Sequence, residues 1–342
     1  MRGFAGVILG AWVMGFATEA RAQGVIVDHH SVALFEQIPD QYLQAAASMT
    51  MVFVNRSVGS NINDGLTCLA YESDAAAPSS CKRYTHPVAA FSSPQSEVQW
   101  SRPGGHDRSN WRYFGWPGGG IPPEISCGVD SASWFQKLEC FVRYVDANPT
   151  AYRVFSYMNS YLEVDEASDI ASATTGYFAR QANRFDIGDF EAMEARHPTR
   201  IFIHHTTSLA RGIGTQVSTT FNDQMRQYAR EHNKFLLDVA DIESHDPWGN
   251  SCYDNRDGVQ YSVGGASENY PNDGLNLPAV CQHYTRETDG GHLGNPDVGK
   301  IRLAKAFWVL MARIAGWNPG GGGGTTPVPP APSNLRIVPG LQ

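Results

Sequence analysis

The chain is poor in charged residues, and basic residues are the scarcer kind. Of its 342 residues 18% are charged, with 26 Lys and Arg against 34 Asp and Glu, so the net charge is −8. This balance argues against a broad nucleic-acid-binding surface. A hydrophobic content of 42% is typical of a globular protein rather than a disordered one.

Long apolar runs are also missing beyond the N-terminus, so we expect no membrane span. The first residues combine Arg2, the apolar run FAGVILGAWVMGFA and a small-x-small site from Ala20 to Ala22. This pattern predicts a cleavable secretory signal peptide over residues 1–22. We therefore expect a secreted or periplasmic protein.

No Cys-x-x-Cys pair occurs, which argues against a cysteine zinc site. An even number of cysteines in an exported chain instead favours disulfides, although six cysteines allow fifteen pairings. Pairing of sequence neighbours would close three local loops. The candidates are Cys68, Cys81, Cys127, Cys140, Cys252 and Cys281.

Short apolar strands alternate with helical patterns along most of the chain. Strands are predicted around 52–54, 151–158, 200–205 and 234–242, and the last and most regular helix follows residue 295. The alternation predicts an α/β fold, a three-layer α/β/α sandwich with a mostly parallel sheet of the flavodoxin-like kind. Residues 68–127 are predicted to be a loop-rich, disulfide-stapled insertion.

One domain is expected over residues 23–317. From residue 318 to residue 342 the chain is a Gly-rich and then Pro-rich linker and tail.

Polar residues follow several of the predicted strands, where the active sites of parallel α/β folds lie. Ser57 follows the strand 52–54, and Asn159 follows the strand 151–158. Late in the chain, the glycine-rich stretch TDGGHLGNP carries Asp289 and His292. A serine nucleophile needs an imidazole base, a carboxylate that orients the base, and donors for the oxyanion.

In these blocks the chain resembles the SGNH (GDSL-like) hydrolases over roughly residues 50–317. NRSVG stands at the place of the family's nucleophile turn, SYMNS at its third block and DGGH at its last block. The resemblance implies that Ser57 is the nucleophile, His292 the base and Asp289 the acid that orients it. It also implies that Asn159 donates to the oxyanion from its side chain.

The second block of the resemblance is WRYFGWPGGG, with four candidate glycines, of which Gly115 is favoured as an oxyanion donor because it ends a strand-like run. The first block departs from Gly-Asp-Ser at two of three positions. Ser60 therefore stays open as an alternative nucleophile, and so does a loss of activity. Ser57 and Ser60 could also simply cap the following helix.

The resemblance implies a serine esterase that hydrolyses small acyl esters, most often acetyl esters, on carbohydrate or another small substrate. Trp111 and Trp116 are candidate sugar-stacking residues, with a local core role as the alternative. The other functions considered are a lipase-like or thioesterase-like hydrolase and a catalytically silent carbohydrate-binding protein.

We expect no cofactor, no metal and no nucleic-acid partner, and the sequence leaves the oligomeric state open. His204 and His205, taken with His245 and Asp246, are metal-ligand types. Adjacent residues on a strand point to opposite faces, so the two neighbouring histidines are not expected to bind one ion.

Overall fold

The computed structural model describes residues 24–71, 76–78, 81, 84–85, 94–95, 106–115, 133–209, 215–253, 262–263, 266–267, 275–281, 284, 293 and 298–320. The predicted signal peptide and almost all of the predicted tail lie outside these residues.

One sheet of six parallel strands forms the centre of the molecule. Its strands are β1 (Ile26–Val27), β2 (Met51–Asn55), β3 (Trp111–Gly115), β4 (Val154–Tyr157), β5 (Ile201–His205) and β6 (Phe235–Leu237). The α-helices are α1 (Asp40–Ser48), α2 (Ser57–Leu69), α3 (Trp134–Ala147), α4 (Ile187–Arg196), α5 (Gln216–Glu231), α6 (Val239–Glu243) and α7 (Val298–Ile314). Two 3-10 helices cover His30–Gln37 and Tyr161–Glu163.

The spatial order of the strands is β1-β6-β5-β4-β2-β3. From β2 the chain first moves outward to β3, and it then returns to add β4, β5 and β6 on the other side of β2. The direction in which successive strands are added therefore reverses, and the switch point of the sheet lies between β2 and β4. In open parallel sheets, the crevice outside the carboxyl ends of the strands at such a switch point is where ligands bind.

The two faces of the sheet carry separate hydrophobic cores, because successive strand residues point to opposite sides. Met51 and Phe53 of β2 face the core formed with α1, α2 and α7. Val52 and Val54 face the core formed with α3, α4 and α5. The sheet is thus covered by helices on both sides, which confirms the predicted three-layer α/β/α architecture.

Two of the predicted disulfides are present, Cys68–Cys81 and Cys252–Cys281. Cys140 is also disulfide-bonded, and Cys127, its predicted partner, lies outside the described residues. Disulfides are typical of proteins from oxidising compartments, which agrees with an extracellular or periplasmic location. No helix in the described part of the chain is long and apolar enough to cross a membrane.

The structure differs from the sequence prediction at one end of the sheet, in the neighbouring strands β1 and β6. Strand β1, the 3-10 helix after it and α1 were not predicted. The predicted strand 234–242 ends early, at Leu237. Asp238 ends it because its side chain accepts a hydrogen bond from the Asp241 amide and so caps α6.

Candidate functional site

Ser57 is the first residue of α2 and directly follows the turn after β2. Its side chain is exposed, whereas Ser60, one turn later, is half-buried. The amide of Ser60 donates to the carbonyl of Arg56 at 3.0 Å as part of the first helical turn. Ser57 therefore lies at the positive end of the α2 dipole, where a developing negative charge is stabilised.

Asn55 connects this turn to the neighbouring strand end. Its side chain is 1% exposed, and its Oδ1 accepts a hydrogen bond of 2.7 Å from the Gly59 amide. Its Nδ2 donates to the carbonyl of Met158 at 2.8 Å. One buried amide therefore satisfies a free N–H at the start of α2 and a carbonyl after β4, and it holds the two turns together.

Tyr113 connects the same turn to β3 on the other side. Its hydroxyl donates to the Arg56 carbonyl and, at 3.3 Å, to the Asn55 carbonyl. Burial and the nearby Asp64 raise the pKa of Tyr113 to about 12. The hydroxyl is therefore protonated at neutral pH and acts as a permanent donor to the turn before Ser57.

Asn159 lies two residues beyond the end of β4 and is 3% exposed. Its Oδ1 accepts a hydrogen bond of 2.9 Å from the Tyr157 hydroxyl, and its backbone carbonyl accepts one of 3.2 Å from Thr207. Because Oδ1 is directed at Tyr157, the Nδ2 group of the same amide is directed away from it. The Tyr157 hydroxyl thus orients the side chain, while Thr207, which follows β5, holds the backbone of the same residue.

A buried ion pair holds the turn that follows Asn159. Lys137 of α3 pairs with Glu163, and Glu163 also accepts a hydrogen bond of 2.6 Å from the Ser160 amide. Burial raises the pKa of Glu163, and the charge of Lys137 acts in the opposite direction. The pair fixes the 3-10 turn Tyr161–Glu163 that follows Asn159, since removing either charge leaves the other buried and unpaired.

Three of the residues predicted from the sequence lie at the same carboxyl edge of the sheet. Ser57 follows β2, Gly115 ends β3 and Asn159 follows β4, and β2 lies between the other two strands. In the pairing of β2 with β3, Asn55 stands opposite Gly115. A Cβ on Gly115 would meet nothing nearer than the Tyr113 hydroxyl at 3.4 Å. Asp289, His292 and Trp116 lie outside the described residues, so their predicted roles stay predictions.

Trp111 does not fit the role of a sugar-stacking residue, and that expectation is corrected. It is the first residue of β3, at the end of the strand opposite Gly115, and it is only 2% exposed. Its indole packs against Trp308 with ring centroids 4.3 Å apart, and Nε1 donates to the Ala46 carbonyl. The local core alternative is the observed one.

His204 and His205 lie on opposite faces of β5, as their adjacency predicts. His204 contacts Glu194 at 3.2 Å, and His205 bonds to Ser156 at 2.6 Å on the other side. Burial and the neighbouring His204 lower the pKa of His205 to about 3, so this imidazole is neutral at physiological pH. Instead of Asp246, His245 contacts Asp241, four residues before it.

Sequence reasoning missed the roles of Asn55 and Tyr113. Both lie inside the blocks that were singled out, Asn55 in NRSVG and Tyr113 in WRYFG. A polar residue at the end of an otherwise apolar strand is a usable signal for Asn55. For Tyr113 the sequence carries no such signal, because its role depends on β3 lying beside β2.

Comparisons with protein-family models, with curated proteins and with solved structures returned no match to this chain. The resemblance to SGNH hydrolases therefore depends only on the sequence blocks named in the sequence analysis.

Proposed function

We propose that the chain is an exported SGNH-type serine esterase that hydrolyses small acyl esters, acetyl esters above all, on carbohydrate. One observation supports this most strongly, namely that Ser57, Gly115 and Asn159 lie at the ends of three adjacent strands beside the switch point of the sheet. The exposed Ser57 is flanked on one side by the strand that ends before Asn159 and on the other by the strand that ends at Gly115.

In the proposed reaction, the Oγ of Ser57 attacks the ester carbonyl while His292 takes its proton. The C–O bond to the alcohol breaks, and the alcohol leaves with the proton from His292. Water then attacks the acyl-enzyme with the same base, and the acid and the free serine are released. Asp289 would hold the imidazole of His292 in the required orientation.

The oxyanion formed in both steps needs donors that are already in position. Asn159 is suited to this because its Oδ1 is occupied by Tyr157, so that Nδ2 is the donor that remains to be used. Gly115 would supply a backbone N–H from the other neighbouring strand. The N-terminus of α2 adds a favourable dipole at Ser57.

Ser57 is preferred to Ser60 because of exposure. Ser57 is exposed at the first position of α2, whereas Ser60 is half-buried one turn further along. A nucleophile must reach its substrate, so the first position is the better one.

Hydrolysis of p-nitrophenyl acetate by the oxidised, signal-free protein tests the proposal. We expect Ser57→Ala to lower kcat by at least about 10³-fold. Asn159→Ala should lower kcat by about 10²–10³-fold, the usual effect of losing one oxyanion donor. Ser60→Ala is the matched control and should retain activity.

Other outcomes lead to different conclusions. Loss of activity in Ser60→Ala alone would identify Ser60 as the nucleophile, and the protein would still be a serine esterase. An inactive wild type in which a fluorophosphonate probe labels neither serine would end the esterase proposal. Sugar binding without turnover would then support the silent carbohydrate-binding alternative.

The substrate class needs a separate measurement. We expect release of acetate from acetylated xylan, pectin or alginate, and a preference for acetyl over longer p-nitrophenyl esters. A preference for long acyl chains would instead support the lipase-like or thioesterase-like alternative.

A further inference from the structure

Three side chains with metal-ligand chemistry come together beside the outer strand β1, on the side of the sheet far from Ser57. His29 lies two residues beyond β1, Asp241 lies within α6, and His245 lies two residues beyond the end of α6. The parallel pairing of β1 with β6 brings these two segments together. Three strands, β6, β5 and β4, separate this edge from β2, so the cluster is distinct from the proposed esterase site.

Both imidazoles bond to Asp241. Its Oδ2 accepts hydrogen bonds from the backbone N–H of His29 at 2.8 Å and from the His29 Nδ1 at 2.6 Å. The Nδ1 of His245 lies 2.8 Å from the Asp241 carbonyl oxygen and 3.4 Å from its Oδ1. The two rings are stacked, with centroids 3.7 Å apart and planes 7° from parallel.

These contacts determine where the protons are. A carbonyl oxygen and a carboxylate oxygen can only accept, so each imidazole carries its proton on Nδ1. The cluster thus combines one carboxylate side chain with two imidazole rings.

The surroundings support the three side chains. The Ser251 hydroxyl lies 3.2 Å from the Nε2 of His245, and the Tyr284 hydroxyl donates to the His245 backbone carbonyl. The disulfide Cys252–Cys281 holds together the two segments that carry these residues. The three side chains are between 11% and 20% exposed, so an ion can reach them from solvent.

We propose that His29, Asp241 and His245 bind a borderline divalent transition-metal ion, with Zn²⁺ the best-matched example. One ligand atom from each residue can be chosen such that all three lie within 4.8 Å of one another. Two imidazole nitrogens and one carboxylate oxygen are a set of three protein ligands that such ions accept, with water completing the coordination. This departs from the expectation of no metal stated from the sequence.

Binding requires small changes in the cluster. An imidazole with its proton on Nδ1 can bind an ion through Nε2, whereas binding through Nδ1 moves the proton to Nε2. For His245 the Ser251 hydroxyl lies 3.2 Å from Nε2, where it can accept that proton. Because a nitrogen lone pair lies in the plane of its ring, at least one of the stacked rings must also turn about its Cβ–Cγ bond.

No other group of this composition occurs within the residues that the structure describes. His197 makes a similar contact with a carboxylate, at 2.7 Å from Asp146, but this pair belongs to no such three-ligand group. It therefore provides a matched control for the effect of removing a carboxylate-bound histidine.

Isothermal titration of the tag-free, EDTA-treated, oxidised protein with ZnCl₂ tests the proposal. We expect one ion per chain, and a thermal unfolding midpoint that rises with ZnCl₂ concentration. His29→Ala and His245→Gln should each weaken binding at least tenfold and remove the rise, while His197→Ala should change neither. Far-UV circular dichroism checks that each variant is folded, and His29→Asn replaces any variant that is not.

Three results would overturn the proposal. They are the absence of zinc binding by the wild type at millimolar ZnCl₂, equal binding by both cluster variants, and an equal loss in His197→Ala. MgCl₂ provides a second control, because a site with two imidazoles should bind this hard ion far more weakly than Zn²⁺. Since every readout is binding or stability, failure of the esterase proposal leaves this test intact.

Discussion

Replacing Asn55 with alanine should loosen the turn before Ser57 and destabilise the whole domain. The substitution removes the partner of the Gly59 N–H, at 2.7 Å, and of the Met158 carbonyl, at 2.8 Å. All three residues are buried. A buried polar group that loses its partner costs about 1–3 kcal/mol, so the two together should lower the free energy of unfolding by about 2–6 kcal/mol.

Urea unfolding of the oxidised protein measures this loss, and Asn110→Ala is the matched control. Asn110 also donates from its side chain to a distant backbone carbonyl, that of Ala47 at 2.8 Å, but it is exposed. Water can replace that bond, so the control should change the free energy of unfolding by no more than about 0.5 kcal/mol. Equal effects of the two substitutions would refute the reasoning.

The variant Asn55→Asp separates the hydrogen bonds from the loss of volume. An ionised carboxylate keeps an acceptor for the Gly59 amide but turns an oxygen without a proton towards the Met158 carbonyl. In this buried position the carboxyl pKa is raised, so the folded state binds more protons than the unfolded state. The stability of Asn55→Asp should therefore fall as pH rises from 4 to 7 relative to the wild type. No such pH difference would mean that side-chain volume, not hydrogen bonding, is what matters at this position.

Three further predictions concern the close packing at Gly59, the buried Glu243 and one disulfide. Gly59→Ala would bring a Cβ to 2.6 Å from the Cβ of Asn55, so we expect a lower midpoint of thermal unfolding. An unchanged midpoint would contradict this close approach. Burial raises the pKa of Glu243 to about 8, so the folded state holds a proton that the unfolded state loses near pH 4.5. Stability should accordingly fall as pH rises from about 4.5 to about 8, and a parallel pH series on Glu243→Gln should not show this part of the decline. Loss of the Cys252–Cys281 bridge, which spans 29 residues, should cost about 3–4 kcal/mol by loop entropy, measured by urea unfolding of the double serine variant.

Much of the fold was predictable because it depends on local hydrophobic patterns. The stretches around Phe53, Val154 and Ile203 are strands in the structure, and the regular pattern after residue 295 is the helix α7. Strand β1 was missed because two apolar residues carry almost no periodicity. The end of β6 was misjudged because Asp238 was read as part of an apolar run rather than as a helix cap.

The candidate site was predictable only in part. Ser57 and Asn159 were identified because polar residues that follow buried strands lie at the carboxyl edge of a parallel sheet. The burial of Trp111 was not decided by its neighbours in sequence, since its partner Trp308 is almost 200 residues away. A tryptophan in a loop-rich stretch has the same local pattern whether it packs inside or contacts a ligand.

Local sequence patterns were enough to predict most of the strands and helices and the polar residues available at their ends. Which of these ends are neighbours depends on the tertiary structure. Asn55 can hold the turn after β4 only because β4 lies beside β2, and His29 meets Asp241 only because β1 pairs with β6, across 212 residues of chain. Local periodicity indicates which face of an element is buried. Strand order instead depends on how all the layers pack together. Contacts between distant polar groups therefore form only in the folded chain.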